Sequence, residues 1–144
     1  MKIGIIKEGK EPIDRRVPLS PKQCVELKQI YPHLSLVVQP SEIRCFSDQE
    51  YLDQGVKIQE DLSDCDLIIG IKEVPLSFLI PEKKFLFFSH TIKKQPYNKN
   101  LLKEILRKKI DLIDYEVLKN IDGDRIIGFG RYAGIVGAYN AFLT

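Results

Sequence analysis

Strong charge of either sign is missing from this chain: 22 Lys and Arg stand against 20 Asp and Glu, a net charge of +2. No basic cluster with interleaved aromatics occurs, so the electrostatic footprint of a nucleic-acid binder is absent. Apolar runs are short. None approaches the roughly 18 residues of a membrane-crossing helix, and the N-terminus enters a strand-like stretch at once, which argues against a spanning segment and a signal peptide. Cysteine is sparse. Cys24, Cys45 and Cys65 are widely spaced, odd in number and without a CxxC or CxxH pair. That speaks against a zinc site or a disulfide framework and for buried or half-buried thiols of a cytoplasmic protein. Repeats, low-complexity tracts and linkers are also lacking. What remains is an ordinary globular composition with no call for nucleic acid, membrane or metal, and 144 residues suffice for one domain with a real core.

The pattern alternates strand-sized and helix-sized segments. Strands are expected at 2–7, 34–39, 66–71, 85–89 and 110–114, from their length and their β-branched and aromatic content. Two helices are announced by capping boxes, Ser20-x-x-Gln23 with Pro21 at the first helical position and Ser47-x-x-Glu50. Pro32 stops the first, and Gly55 closes the second as a left-handed residue. Residues 76–80 allow no more than a helical turn. From Pro96 to Lys109, Leu101, Leu102, Ile105 and Leu106 mark one face of a covering helix. Asp122-Gly123 signals a type I′ turn joining 118–120 and 125–129 in a small hairpin. The last segment, 132–143, is rich in Ala and Gly, as in a helix packed closely on other backbone. Strands alternating with helices imply an α/β fold with a mostly parallel sheet covered on both faces.

Chemistry-bearing residues gather at expected strand ends. Lys72, His90 and Glu116 each lie just past a different strand, so adjacent parallel strands would bring them to one sheet edge, where ligands bind in α/β folds. Lys and His can exchange protons near neutrality once their surroundings tune them, and a carboxylate such as Glu116 favours imidazolium. Arg15 and Arg16, on the loop after the first strand, can grip a carboxylate through paired hydrogen bonds. Taken singly, each of these residues is equally at home as a solvated or structural group. The run Gly128-Phe129-Gly130-Arg131-Tyr132-Ala133 fits Gly-x-Gly-x-x-Gly/Ala, but a nucleotide fingerprint needs a full βαβ unit and an acidic residue about 20 positions on. Only eleven residues follow Ala133. These glycines are therefore read as permitting a turn and close helix packing.

Several segments in order resemble the N-terminal domain of the alanine dehydrogenase and saccharopine dehydrogenase superfamily. They are Ile3-Gly4-Ile5-Ile6-Lys7-Glu8, Arg15-Arg16-Val17-Pro18-Leu19-Ser20-Pro21, Phe88-Ser89-His90-Thr91-Ile92-Lys93-Lys94-Gln95, Leu112-Ile113-Asp114-Tyr115-Glu116 and Phe129-Gly130-Arg131-Tyr132-Ala133-Gly134. All but the first are closest to the lysine-2-oxoglutarate reductase (lysine-forming saccharopine dehydrogenase) branch. The resemblance implies a Rossmann-like or flavodoxin-like substrate domain spanning 1–144, followed in the family by an NAD(P)-binding Rossmann domain that this chain lacks. It implies oxidation of a secondary amine by hydride transfer and hydrolysis of the imine to lysine and 2-oxoglutarate. Lys72 and His90 would be the proton-transfer pair, Glu73 and Glu116 would tune them, and Arg16 with Lys93 would hold substrate carboxylates. NAD or NADP would serve the complete enzyme, with none bound by this chain alone, which would be inactive by itself.

Two alternatives stay open. An alanine dehydrogenase-type domain would act on alanine and pyruvate. A stand-alone, non-catalytic module would bind an amino acid, an oxo acid or a partner. A fragment would expose an apolar face on its last helix and so self-associate as a homo-oligomer.

Overall fold

Runs of β-branched and aromatic residues, two to four residues long, set the sheet. In the computed structural model, which describes residues 1–143, the strands are β1 Lys2–Ile5, β2 Ser35–Val38, β3 Lys57–Ile58, β4 Leu67–Ile69, β5 Lys84–Phe87 and β6 Asp111–Asp114. Every pairing is parallel, in the order β3-β2-β1-β4-β5-β6. This is a doubly wound α/β sheet: the chain begins in the middle and winds outward in both directions. The loops after β1 and β4 therefore diverge and open a crevice at the carboxyl ends of these two neighbours, the usual ligand position.

Both faces are covered, as alternation along each strand requires. Ile3, Ile5, Leu36, Val38 and Ile69 pack with Cys24 and Tyr51 of helices α1 (Pro21–Ile30) and α2 (Asp48–Asp53). Ile6, Val37, Ile68, Phe85 and Phe87 pack on the other side with Leu101 and Ile105 of α3 (Lys99–Arg107). Gly4 belongs to that second face, where a Cβ would stand 2.9 Å from Cys65 Sγ. Both capping boxes are formed, at Ser20 and at Ser47, and Gly55 is left-handed at φ +68°. Residues 76–80 give one 3₁₀ turn, Leu76–Phe78.

The structure departs from the sequence reading in several places. β3 was not expected, because two residues between a helix end and an acidic stretch carry no period. The helix expected from Pro96 starts as a 3₁₀ turn, Pro96–Asn98, before α3. Cys24 and Cys65 are buried, but Cys45 is exposed.

The chain divides into two compact units, Met1–Asp114 and Tyr115–Thr144. The second holds a 3₁₀ turn (Tyr115–Val117), an antiparallel bridge between Lys119 and Arg125, and α4 (Gly130–Phe142). Its hairpin is not closed by a type I′ turn. Gly123 N–H donates to Asn120 O at 3.1 Å, Asn120 N–H donates to Asp124 O at 2.9 Å, and Gly123 (φ +87°) is left-handed while Asp122 is not. That is a three-residue loop with a glycine bulge; type I′ needs positive φ at both central residues. Within the second unit itself, a Cβ at Gly134 or Gly137 would meet nothing within 4 Å.

Candidate active site

Lys72 and Glu73 follow β4 on one wall of the crevice, and His90 follows β5 on the next. Phe88 N–H donates to Ile71 O at 3.0 Å, which holds the two loops together. His90 adopts the left-handed conformation at φ 54°, uncommon outside glycine and kept where the surroundings fix it. The fixing groups are visible. The Ser89 hydroxyl, fully buried, donates to Asp114 at 2.5 Å and shares a hydrogen bond with the Thr91 hydroxyl at 2.8 Å. The His90 ring stacks on Phe88 with centroids 6.2 Å apart.

So held, His90 Nδ1 lies 2.7 Å from Glu73 Oε1, the two side chains being 18% and 11% exposed. Lys10, from the loop after β1, donates to Glu73 Oε2 at 2.5 Å. Burial pushes the Glu73 carboxyl up, but the hydrogen bonds from Lys10 and His90 outweigh it and hold the group below its ordinary 4.5. Glu73 is thus an anion at neutral pH and can only accept. His90 Nδ1 must carry the proton of that bond, which leaves Nε2 as the ring atom able to exchange protons.

The β1 loop supplies a second set. Arg16 donates from Nε at 2.9 Å and from Nη2 at 2.5 Å to Asp14. This pairing lowers the Asp14 pKa, with the charge of Lys72 adding to the effect, and raises that of Arg16. Glu8 accepts from the backbone N–H of Ile71 at 2.6 Å and of Lys72 at 2.9 Å. Burial raises its pKa despite those two bonds.

Of the residues singled out from sequence, Lys72, Glu73, His90 and Arg16 lie on the loops that follow β1, β4 and β5. Glu73 meets His90, and Arg16 is held by Asp14, on which the charge of Lys72 also acts. Lys93 ends the exposed 3₁₀ turn Thr91–Lys93, where its backbone N–H donates to His90 O at 3.1 Å. Arg15 is exposed. Glu116 belongs to the second unit, where it faces Arg125 Nη2 at 3.7 Å. Sequence reasoning missed Glu8, Lys10 and Asp14. Their signal was positional: a charged loop directly after the first, central strand of a doubly wound sheet. A 420 Å³ cleft reaches Glu73 beside Gly9, Lys10, Pro75 and Tyr97. A larger one, 700 Å³ between the start of α1 and the length of α2, contains neither Lys72 nor His90.

A dinucleotide does not fit the loops described. The loop after β1 carries Glu8, Lys10, Asp14 and Arg16 where a phosphate cradle needs closely spaced glycines. Gly128 to Ala133 opens α4 but follows no strand of the sheet. Among the described residues, no helix is long and apolar enough to cross a membrane.

Known proteins share this sequence and fold. The chain is 42% identical over 139 residues to alpha-aminoadipic semialdehyde synthase of Arabidopsis thaliana, covering 94% of this chain and 13% of the relative. It is 42% identical over 127 residues to the mitochondrial enzyme of that name from Mus musculus, covering 88% and 14%. Against saccharopine dehydrogenase [NAD(+), L-lysine-forming] of Yarrowia lipolytica the identity is 30% over 133 residues, covering 89% and 36%. The chain thus spans between about a seventh and about a third of the length of these relatives. An L-alanine dehydrogenase structure superposes with a TM-score of 0.68 at 18% identity, over 86% of this chain and 35% of that one, which establishes the shared fold. Residues 4–136 match the family described as alanine dehydrogenase/PNT, N-terminal domain, and the chain belongs to that family as a dehydrogenase-type domain.

Proposed function

We propose that this domain supplies the substrate contacts and proton-transfer groups of an NAD(P)-dependent amino-acid dehydrogenase of the saccharopine type, acting at a substrate C–N bond in lysine metabolism. The observation that carries the reading is the Glu73–His90 pair at 2.7 Å beside Lys72. It stands in a chain 42% identical to alpha-aminoadipic semialdehyde synthase.

The hydride acceptor, NAD or NADP, belongs in this reading to a separate Rossmann domain. The residues here manage protons and carboxylates. Oxidation at a secondary amine needs the nitrogen free of its extra proton, and hydrolysis of the imine needs water deprotonated and the departing amine protonated. Lys72 and His90 are the two carriers, with His90 exchanging through Nε2 because Nδ1 is tied to Glu73. Glu73 favours the charged forms of its neighbours. Arg16, kept rigid by Asp14, and Lys93 hold substrate carboxylates. The free thiols Cys24, Cys45 and Cys65 suit a reducing compartment such as the cytoplasm.

The test uses the complete dehydrogenase. Lys72→Met and His90→Ala should each lower turnover of saccharopine by about 10²- to 10⁴-fold. Wild-type kinetics in both variants would remove the assignment, and turnover of alanine in preference to saccharopine would move the domain to the alanine dehydrogenase class.

A further inference from the structure

The ladder between β1 and β4 ends where the site begins. Ile6 N–H still donates to Ile69 O at 3.0 Å, but Lys7 N–H turns to the Gln39 side chain at 3.1 Å. The amides of Ile71 and Lys72 are then met by a side chain: Glu8 Oε1 takes the first at 2.6 Å and Oε2 the second at 2.9 Å. Gly70, just before these amides, packs against the same loop. A Cβ there would stand 3.4 Å from Glu8 Oε1 and 2.9 Å from Ile6 Cγ2.

We infer that Glu8 is a positioning residue, whose carboxylate clamps the Ile71–Lys72 backbone and so fixes the base of the Lys72 side chain at the crevice. This rests on the reading of Lys72 as a proton carrier. Glu8 acts through the main chain, not on substrate. Only a carboxylate offers an acceptor on each of two oxygens; an amide presents one acceptor and turns a donor toward the other N–H. The clamp has a counterpart one residue on, where Lys10 of the same loop holds Glu73 at 2.5 Å. Lys72 therefore springs from a short stretch fixed on both sides by one loop. Positioning of this kind matters because a displacement of about 1 Å at a reacting group can cost about a hundredfold in rate.

The charges that bear on Glu8 are Asp14 and Arg16 of its own loop. Asp14 acts with burial to disfavour its ionised form, while Arg16 and the two amides favour it. Asp14→Asn is accordingly the control for any titration seen at Ile71 and Lys72.

Two measurements test the inference. In this 144-residue chain, the amide proton resonances of Ile71 and Lys72 should titrate together with a midpoint above 4.5, persist in Asp14→Asn, and lose the transition in Glu8→Gln. In the complete dehydrogenase, Glu8→Gln should lower kcat by about ten- to a hundredfold while the dinucleotide KM stays within roughly twofold. Wild-type kcat in Glu8→Gln, alongside a Lys72→Met variant that is dead, overturns the clamp and leaves the proposed function standing. A fully active Lys72→Met removes the reading of Lys72 on which the clamp rests, and with a fully active His90→Ala it removes the proposed function as well. Should Glu8→Gln fail to fold, the wild-type titration decides: amide shifts that stay flat across that range overturn the clamp.

Discussion

His90 Nδ1 and Glu73 Oε1 meet at 2.7 Å across two neighbouring loops, and the carboxylate that joins them is held from behind by Lys10. One side chain thus ties together the loops that follow β1, β4 and β5. The pair orients the imidazole, and it also makes the stability of the domain depend on the charge of Glu73.

The sign of that dependence follows from the pKa. Folding lowers the Glu73 pKa below 4.5, so its contribution is complete above that value and is lost as pH falls through the lower, folded one. Glu73→Gln should unfold about 1.5–3 kcal/mol more easily than wild type near neutral pH, the usual range for hydrogen bonds to a charged group. The gap should close in acid. Chemical denaturation across the acid range checks this, and a gap that stays constant with pH would show that Glu73 contributes by packing alone.

Gly70 offers a test that leaves every charged group in place. A methyl group there would stand 2.9 Å from Ile6 Cγ2, within the buried second face of the sheet, and 3.4 Å from Glu8 Oε1. Gly70→Ala should cost about 1–3 kcal/mol, as overpacking does, and should shift the amide resonances of Ile71 and Lys72. Gly55→Ala is the contrast. Its Cβ meets nothing within 4 Å, but its φ of +68° is strained for any L side chain, so it should destabilise without touching those amides. Identical amide maps for the two variants would show that Gly70 does not shape the crevice.

How much of this was legible beforehand depended on whether a signal was local. The capping boxes at Ser20 and Ser47, the left-handed Gly55 and the parallel sheet were readable, because a cap or an apolar period is written in consecutive residues. The edge strand β3, two residues long, carries no period. Lys72, His90 and Glu116 were expected at one sheet edge by assuming parallel neighbours. The strands before Lys72 and His90 are parallel neighbours, whereas Glu116 belongs to the second unit, and Glu73 was named only through the family resemblance. Glu8 and Lys10 were passed over because their partners lie 63 or 64 residues away and no short motif announces such a contact. Asp14 pairs with Arg16 only two residues on, and a charged pair in a polar loop carries no signal that sets it apart from a solvated one. The hairpin shows the reverse failure. Asp-Gly is a strong local signal for a two-residue turn, but the strand pairing seats Gly123 as a bulge instead.

Ser20 and Ser47 support a simple stability prediction. Each hydroxyl accepts from the backbone N–H three residues on, at 3.3 Å, while Gln23 and Glu50 return to the capping residue's own N–H at 2.8 and 2.7 Å. Ser20→Ala and Ser47→Ala should each cost about 1 kcal/mol. The Ser47 variant should fall toward the upper part of the range, since α2 has only six residues over which to absorb the loss. Urea midpoints measure both; no loss in either would mean that packing of Cys24 and Tyr51, not the caps, starts these helices.

The second unit carries the last prediction. In α4, Tyr132, Ile135, Val136, Tyr139 and Phe142 are between 55% and 89% exposed, and only Arg131 and Asn140 are polar. Thirteen residues make a helix that is marginal in water by itself, and an all-round apolar surface is stable only when covered. Exposed apolar area of this kind drives association. The chain should therefore self-associate as its concentration rises, with helical signal increasing in step. Replacing Val136 and Tyr139 by Glu should keep it monomeric and lower the helix content while leaving the sheet unit folded, since neither residue belongs to its two clusters. Sedimentation and circular dichroism over a dilution series measure both quantities. A wild-type chain that stays monomeric with full helix content at every concentration would show that α4 finds its cover within one molecule, and the association would have no basis.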